Sequence, residues 1–572
     1  MPRKASGMPR VDIVNRPQKN GDIYVYEVTS KYNPAKRYNE TISSKLLGKI
    51  PKGEAEMVST RPRKDPKKKV TEAERLNVGV TDILSWIGKK SGIDKDIYDA
   101  ADKGTAQKIL SLAWFWTSNH DRAIRHIEEW QINHRIPYAE GLSEDSCYLL
   151  MKQLGTDISV SQKYFQNRAA HATSKASVAV DTTTISSYSE HLNDVRHGYN
   201  KDGNGLATVK LLTLFNLKDH QPIAFIRQPG NIPDVISVLN ALKQLSVLGM
   251  DKPLVVLDGG FFSDENIFTF MQKHTKFLMR GTIDGRWIRP ELDSIIDTFE
   301  TPSNVCPYDS NVYGTTCPIV LQFDSERKYT RNGINKGDIV SEEHRIYLHF
   351  YLNVDKARIE KAALLDEIKS VKQQLEQGVD EALLTKSEQN IIKKYLIINR
   401  TPKRFSVRMD DDAILKETRY YGYFVLLSNN KMGTFDALRE YRLREKTEEG
   451  FRIDKQYNDA HVTRSKTTTS LEGRFFCQFV AFGYEEFFQN EINRVKSSLA
   501  IPTGDPAHDN SETFKKEKAL LNWLNKMSVS KLFDWYDAVQ ETSVNSKIAK
   551  NRWKTETIER DRLFLRKLGV IK

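Results

Sequence analysis

The sequence is short of several things, and each shortage excludes something. Its 572 residues include four cysteines, Cys147, Cys306, Cys317 and Cys477, too scattered for a disulfide framework or a zinc site. That usage fits a reducing compartment, so a cytoplasmic location is expected. No run approaches the roughly 18 apolar residues that span a bilayer, so no membrane partner is expected. The basic start M-P-R-K-A-S-G-M-P-R is followed by no apolar stretch, so no secretory signal is expected either. Internal repeats are absent, which excludes a solenoid. With 39% hydrophobic and 28% charged residues the chain is not disordered, and its length suits about three to four domains.

Positive charge, by contrast, is plentiful and unevenly placed. The net charge is +12, and residues 1–80 hold 18 Lys/Arg against 9 Asp/Glu, so three quarters of the surplus lies in a seventh of the chain. The densest run, R-P-R-K-D-P-K-K-K, contributes Arg61, Arg63, Lys64, Lys67, Lys68 and Lys69. Such a run is either a solvated linker or an electrostatic contact with a polyanion, most naturally double-stranded DNA.

Along the chain, Asp22–Val28 alternates like a strand, and residues 80–170 read as helices, among them an apolar one over Ile109–Phe115 and a mixed one over Asp121–Ile132. From Ser177 the texture changes. S-V-A-V-D reads as a buried strand ending in Asp181; 207–215 and 221–226 read as a hairpin; N-I-P-D opens a helix that Gly249 stops. L-V-V-L-D reads as a second strand ending in Asp258, followed by a helix and the strand 276–280. Three strands, helix, strand, helix, strand is an α/β order. Residues 282–428 interrupt it with strands and a helical stretch, where Leu364, Ile368, Val371 and Leu375 recur at 4-3-4 spacing. That seam serves either an internal helical hairpin or a contact with a second chain.

The stretch Y-R-L-R-E-K-T-E-E-G-F-R-I-D-K, Tyr441–Lys455, sets the functional question. At roughly 100° per residue, Tyr441, Arg444, Glu448 and Lys455 fall within a wedge of about 60° on one helix face. Such a face is either a solvated set of ion pairs or a surface that offers a metal-binding carboxylate between phosphate-gripping cations. Asp181 and Asp258 at strand ends add two more carboxylates, and ligands gather at the carboxyl ends of strands in open α/β sheets. Three carboxylates suit two Mg²⁺ ions, with Mn²⁺ as a substitute, for in-line displacement at phosphorus.

The spacing Y-x2-R-x3-E-x6-K resembles the signature of bacterial insertion-sequence transposases with a D-D-E triad. V-A-V-D-T-T-T and V-V-L-D-G-G-F-F-S resemble that family's two aspartate motifs, and the loop from Gly230 and Asn231 to Asp234 resembles a further recurrent element. The resemblance covers about residues 80–490. It implies a ribonuclease-H-like catalytic core, within an α/β fold, interrupted by a mainly β insertion with a helical stretch, plus helical terminal regions. The division it implies is a basic region with short strands at 1–70, a helical DNA-binding region at 71–170, core parts at 171–281 and 429–500, the insertion at 282–428, and a helical region at 501–572. It further implies that Asp181, Asp258 and Glu448 bind two Mg²⁺, and that Arg444 and Lys455 hold DNA phosphates. Tyr441 would contact terminal nucleotides or support Arg444. The activity implied is cleavage of the ends of a mobile element and joining of the 3′-hydroxyls to target DNA, by a synaptic homodimer at the nucleoid. Trp287 is either a stacking partner for a flipped base or a packed strand residue. Asp410–Asp412 reads as a solvated turn that could reach a metal. A DNA-binding regulator without catalysis and a hydrolysis-only nuclease of the same fold are the alternatives.

Overall fold

The computed structural model describes residues 8–58, 72–119, 122–172, 177–189, 192–201, 203–250, 252–326, 337–401, 404–457, 462–463, 467–545, 550–555 and 557–571; for 446–457 the backbone alone is described. The basic run with Arg61, Arg63, Lys64, Lys67, Lys68 and Lys69 lies outside the described residues.

The chain divides into two compact units, one reaching to Glu74 together with Thr542–Trp553 and one holding the remainder. In the first, β1 (Arg10–Pro17), β2 (Ile23–Asn33) and β3 (Tyr38–Ile50) form an antiparallel meander. In β2, Val25 and Val28 go under while their neighbours stay at least partly exposed, a spacing that strict alternation does not give. β4 (Glu72–Asn77) leads on into the second unit.

The second unit opens with six helices, α1 (Gly79–Ser91), α2 (Ile93–Ala100), α3 (Lys103–Ser118), α4 (Ile127–Ile132), α5 (Glu144–Thr156) and α6 (Ser159–Ala170). Asp102 caps α3 by accepting from the Gly104 and Thr105 N–H groups, and the apolar run behind it is buried almost all round. The helix expected over Asp121–Ile132 is shorter: a 3-10 turn at Ile124–His126 precedes α4.

The large sheet is built from β5 (Ser177–Ser187), β6 (Thr208–Asn216), β7 (Gln221–Pro229), β8 (Leu254–Leu257), β9 (Lys276–Gly281), β10 (Val305–Cys306), β11 (Asp309–Glu326) and β12 (Ile339–Asn353), with α7 (Asp234–Val247), α8 (Asp264–Gln272) and α9 (Arg289–Ile295) between its strands. Next come α10 (Val354–Glu376), α11 (Lys386–Tyr395), β13 (Leu396–Thr401), β14 (Arg404–Met409), α12 (Asp411–Thr418) and β15 (Tyr423–Ser428). Then α13 (Thr434–Tyr457), β16 (Val462–Thr463) and the 31-residue α14 (Thr468–Ser498) return the chain to the helices. The sheet order is β10-β11-β12-β15-β9-β8-β5-β6-β7, with β16 added to β5. β5, β8 and β9 run parallel; β6 and β7 on one side and β15, β12 and β11 on the other are antiparallel to their neighbours.

Of the strands of 282–428, β10, β11, β12 and β15 therefore extend the same sheet, while β13 and β14 pair with each other. The remainder of that stretch forms a small lobe, in which Ile368, Val371 and Leu375 of α10 pack with Ile391, Ile392 and Tyr395 of α11, Val407 and Ile414. The 4-3-4 seam is thus an internal one. α14 passes close to α5, where glycines are required: a Cβ at Gly473 would lie 1.9 Å from the Met151 carbonyl oxygen, and one at Gly155 would lie 1.8 Å from that of Thr469. Three further helices, α16 (Glu512–Leu524), α17 (Val529–Asp537) and α18 (Glu559–Leu568), follow the short α15 (Pro506–Asp509). Among the described residues no helix is long and apolar enough to cross a membrane.

Candidate active site at the carboxyl edge of the parallel strands

β8 stops at Leu257, which pairs with Val180 of β5. The next residues are Asp258 and Asp181, so the two carboxylates stand side by side on strands about 4.8 Å apart. Asp258 keeps an extended backbone (φ −76°, ψ 169°), so both side chains leave the sheet on the same face. The expectation that Asp181 ends its strand is corrected here. β5 runs on to Ser187 because β6 pairs with it as far as Ser186; it is the neighbouring strand that ends. Asp181 is buried, and its Oδ1 accepts the N–H of Thr182 at 2.8 Å.

α13 crosses this face, packing on β5, β8 and β9. Gly450 does not break it. Tyr441 and Arg444 are buried, so this part of the charged face is not a solvated set of ion pairs. The Tyr441 hydroxyl donates to Asp258 Oδ1 at 3.1 Å, and the Arg444 guanidinium lies 3.4 Å from the same oxygen. Arg444 also donates to the Tyr441 hydroxyl at 3.4 Å, with its Cζ 5.1 Å from the ring centre. Burial raises the pKa of Asp258, but the Arg444 charge, the Gly259 N–H, the Tyr441 hydroxyl and the Arg280 charge together outweigh it and hold the carboxyl below its ordinary value. Burial is also the main reason that the Tyr441 phenol is pushed up to about 12. Tyr441 is thus neutral, and its hydroxyl donates to Asp258 and accepts from Arg444.

Glu448 lies one helical turn beyond Arg444 and Lys455 nearly two turns further, both on backbone that is helical. Their side chains lie outside the described residues. Among the described residues no group of three or more potential ligands gathers to hold a metal. The two aspartates nevertheless fit a hard divalent cation: both offer oxygen, they stand adjacent, and one is held anionic.

Asp410 caps α12 by accepting the Ala413 N–H, so the acidic triplet starts a helix rather than forming a turn. Trp287 is in a turn after β9, not in a strand. It is half-buried, with its indole N–H 3.3 Å from Asp264 and its ring 6.3 Å from that of Phe262.

Two contributors were missed by sequence reasoning. Arg280 follows Met279, the partner of Leu257, so it stands across from Asp258 on the third parallel strand. The signal was available only once strand order was known. The second is the support beneath the aspartates. Asp234, noted solely for its motif, accepts from Thr182 Oγ1 and pairs with the buried Lys210, both at 2.8 Å.

The family model of the transposase DDE domain matches residues 173–458, half of the chain. The chain belongs to the DDE transposase family. Membership makes it an enzyme of DNA cleavage and joining, and DDE transposases use divalent metal ions. No curated protein matches this transposase. Among solved structures, the piggyBac transposase synaptic complex with hairpin DNA, seen by cryo-electron microscopy, is similar at 10% identity. The match covers 80% of this transposase and 78% of that chain at a TM-score of 0.34, too loose to say more about the site.

Proposed function

We propose that this transposase cleaves the ends of its own mobile element and joins the freed 3′-hydroxyls to target DNA, with Asp181, Asp258 and Glu448 as the metal-binding triad. The observation that carries the reading is the side-by-side placement of Asp181 and Asp258 on parallel strands beneath the helix that bears Y-x2-R-x3-E-x6-K. The strand order β7-β6-β5-β8-β9, with its antiparallel hairpins and parallel β5, β8 and β9, supports a ribonuclease-H-like core. Two Mg²⁺ ions, when bound, would activate a water or a 3′-hydroxyl and stabilise the leaving oxygen.

The chain's own residues would do the remainder. Asp258 holds a negative oxygen in place at neutral pH, and Asp181 offers its carboxyl oxygens beside it. Tyr441 fixes Asp258 from within the protein, which supports the positioning role over a contact with nucleotides. Arg444 and Arg280 place positive charge beside the carboxylates, where phosphate oxygens would sit, and Lys455 extends that charge along α13. No side-chain nucleophile is required, since water and then a DNA hydroxyl attack phosphorus. Pairing of two element ends by a homodimer, and stacking of a flipped base on half-exposed Trp287, belong to the same reading.

A strand-transfer assay with pre-cut element ends tests it. Joining to target DNA in Mg²⁺ is expected. Nicking without joining would leave a nuclease, and neither reaction in Mg²⁺ or Mn²⁺ would leave a DNA-binding regulator.

A further inference from the structure

On the side of β5 away from Asp181, one residue is held from three directions. The Thr182 N–H donates to Asp181 Oδ1 at 2.8 Å, its Oγ1 donates to Asp234 Oδ1 at 2.8 Å, and its carbonyl accepts from Lys201 Nζ at 2.6 Å. Asp234 is the first residue of α7, and the same Oδ1 receives Lys210 Nζ at 2.8 Å. Lys210 is buried and its ammonium also donates to the Ile232 carbonyl. The other oxygen of Asp234 faces the turn after Asp258, since a Cβ at Gly260 would lie 3.3 Å from it. α7 packs on that turn, and Asn266 of α8 ties the two by donating to the Val235 and Phe261 carbonyls, at 2.9 and 2.8 Å.

A buried lysine is costly to desolvate, and removing its part-exposed carboxylate partner leaves it uncompensated. At this position the pair meets Thr182, next to Asp181 within β5, and faces the turn that follows Asp258. Its position suits the spacing of Asp181 against Asp258, the quantity on which shared metal binding depends. We propose that Thr182, Asp234 and Lys210 form a positioning clamp that sets the separation of the Asp181 and Asp258 carboxylates for divalent cations. The inference rests on the catalytic reading above. None of the three touches the metal or the DNA; they act through Asp181 and through the turn that follows Asp258.

Thr182→Val is the informative variant, because it keeps the shape and the Lys210–Asp234 pair while removing the hydroxyl. Asp234→Asn serves as the second, retaining an acceptor for Thr182 but breaking the charge pair. Mn²⁺ binding to the full-length protein, followed by the electron paramagnetic resonance of the free ion, reads the clamp without recourse to activity. Thr182→Val is expected to weaken Mn²⁺ binding about tenfold, the lower end for losing a partner behind a metal ligand. It should raise the Mg²⁺ concentration for half-maximal cleavage in parallel, with the melting temperature and DNA affinity unchanged. Unchanged Mn²⁺ affinity in both variants overturns the clamp, as does a cleavage loss equal at all metal concentrations. Asp181→Asn is measured beside them. If the unaltered protein binds no Mn²⁺, or if binding survives Asp181→Asn, the catalytic reading itself fails and the clamp with it.

Discussion

The large sheet and the lobe of α10–α12 bury their residues in opposite ways. The lobe closes mainly on aliphatic and aromatic side chains, Ile368, Val371, Leu375, Ile391, Ile392 and Val407 among them, and no charged group is buried there among the described residues. The carboxyl edge of β5 and β8 instead buries Asp181, Thr182, Lys210 and Arg444 within a protein otherwise rich in apolar core. Apolar packing stabilises wherever it occurs, whereas buried charge has to be matched group by group and is commonly neutral or costly for stability. Where a sheet accepts that cost at a single edge, function is the reason to look for first.

The comparison breaks most sharply if the charged edge proves dispensable. Asp181→Asn, Asp258→Asn and Glu448→Gln should each lower Mg²⁺-dependent cleavage by about 10³-fold or more, the loss of several kcal/mol of transition-state stabilisation, with DNA binding retained in a gel-shift assay. Arg444→Ala comes next, at about 10²-fold in cleavage rate. Because Arg444 lowers the Asp258 pKa, its removal should also move the acid limb of the pH–rate profile to higher pH. The sign follows from the carboxylate being the active form: with less cationic support it protonates at a higher pH. An unmoved acid limb would detach Asp258 from the rate-limiting chemistry.

The lobe should behave in the reverse manner. Leu375→Ala is expected to cost about 2–5 kcal/mol of stability, read by calorimetry, while the cleavage rate per folded molecule stays put. The smallest effect is expected at Asp410, where replacement by Ala should cost about 1 kcal/mol through loss of the α12 cap and leave the metal dependence of cleavage untouched. A changed Mg²⁺ requirement in Asp410→Ala would return that acidic triplet to the metal site.

Much of this contrast could be read from the chain itself, though not all. The strands carrying the two aspartates, the helices between them and the helix of Tyr441–Lys455 follow from apolar runs, Gly and Pro punctuation and 3.6-residue periodicity, all local properties. The neighbours of those elements are not local. Nothing in V-A-V-D-T-T-T says that β5 continues past Asp181, because its length is fixed by pairing with β6. Nothing near Arg280 announces that it will stand across from Asp258, since that depends on the order of three parallel strands. The seam of α10 was visible as a seam, but which helix fills it depended on where α11 folds back. The helical reading of Asp121–Ile132 overreached because apolar residues at helical spacing also suit a short turn that precedes a single-turn helix.

One feature of α13 constrains how the site can move. Its first residue, Thr434, is engaged by the Tyr351 hydroxyl through its carbonyl and by Thr316 through its hydroxyl, on strands β12 and β11. Shortly after its last residue, β16 joins β5 beside Ser186 and Ser187, five residues past Asp181. The helix is moored at bow and stern to one sheet, like a plank pinned across a frame. Its residues can swing their side chains or loosen a turn, but a wholesale slide would have to cast off one of the two moorings, and the second of these is tied to the very strand on which Asp181 sits.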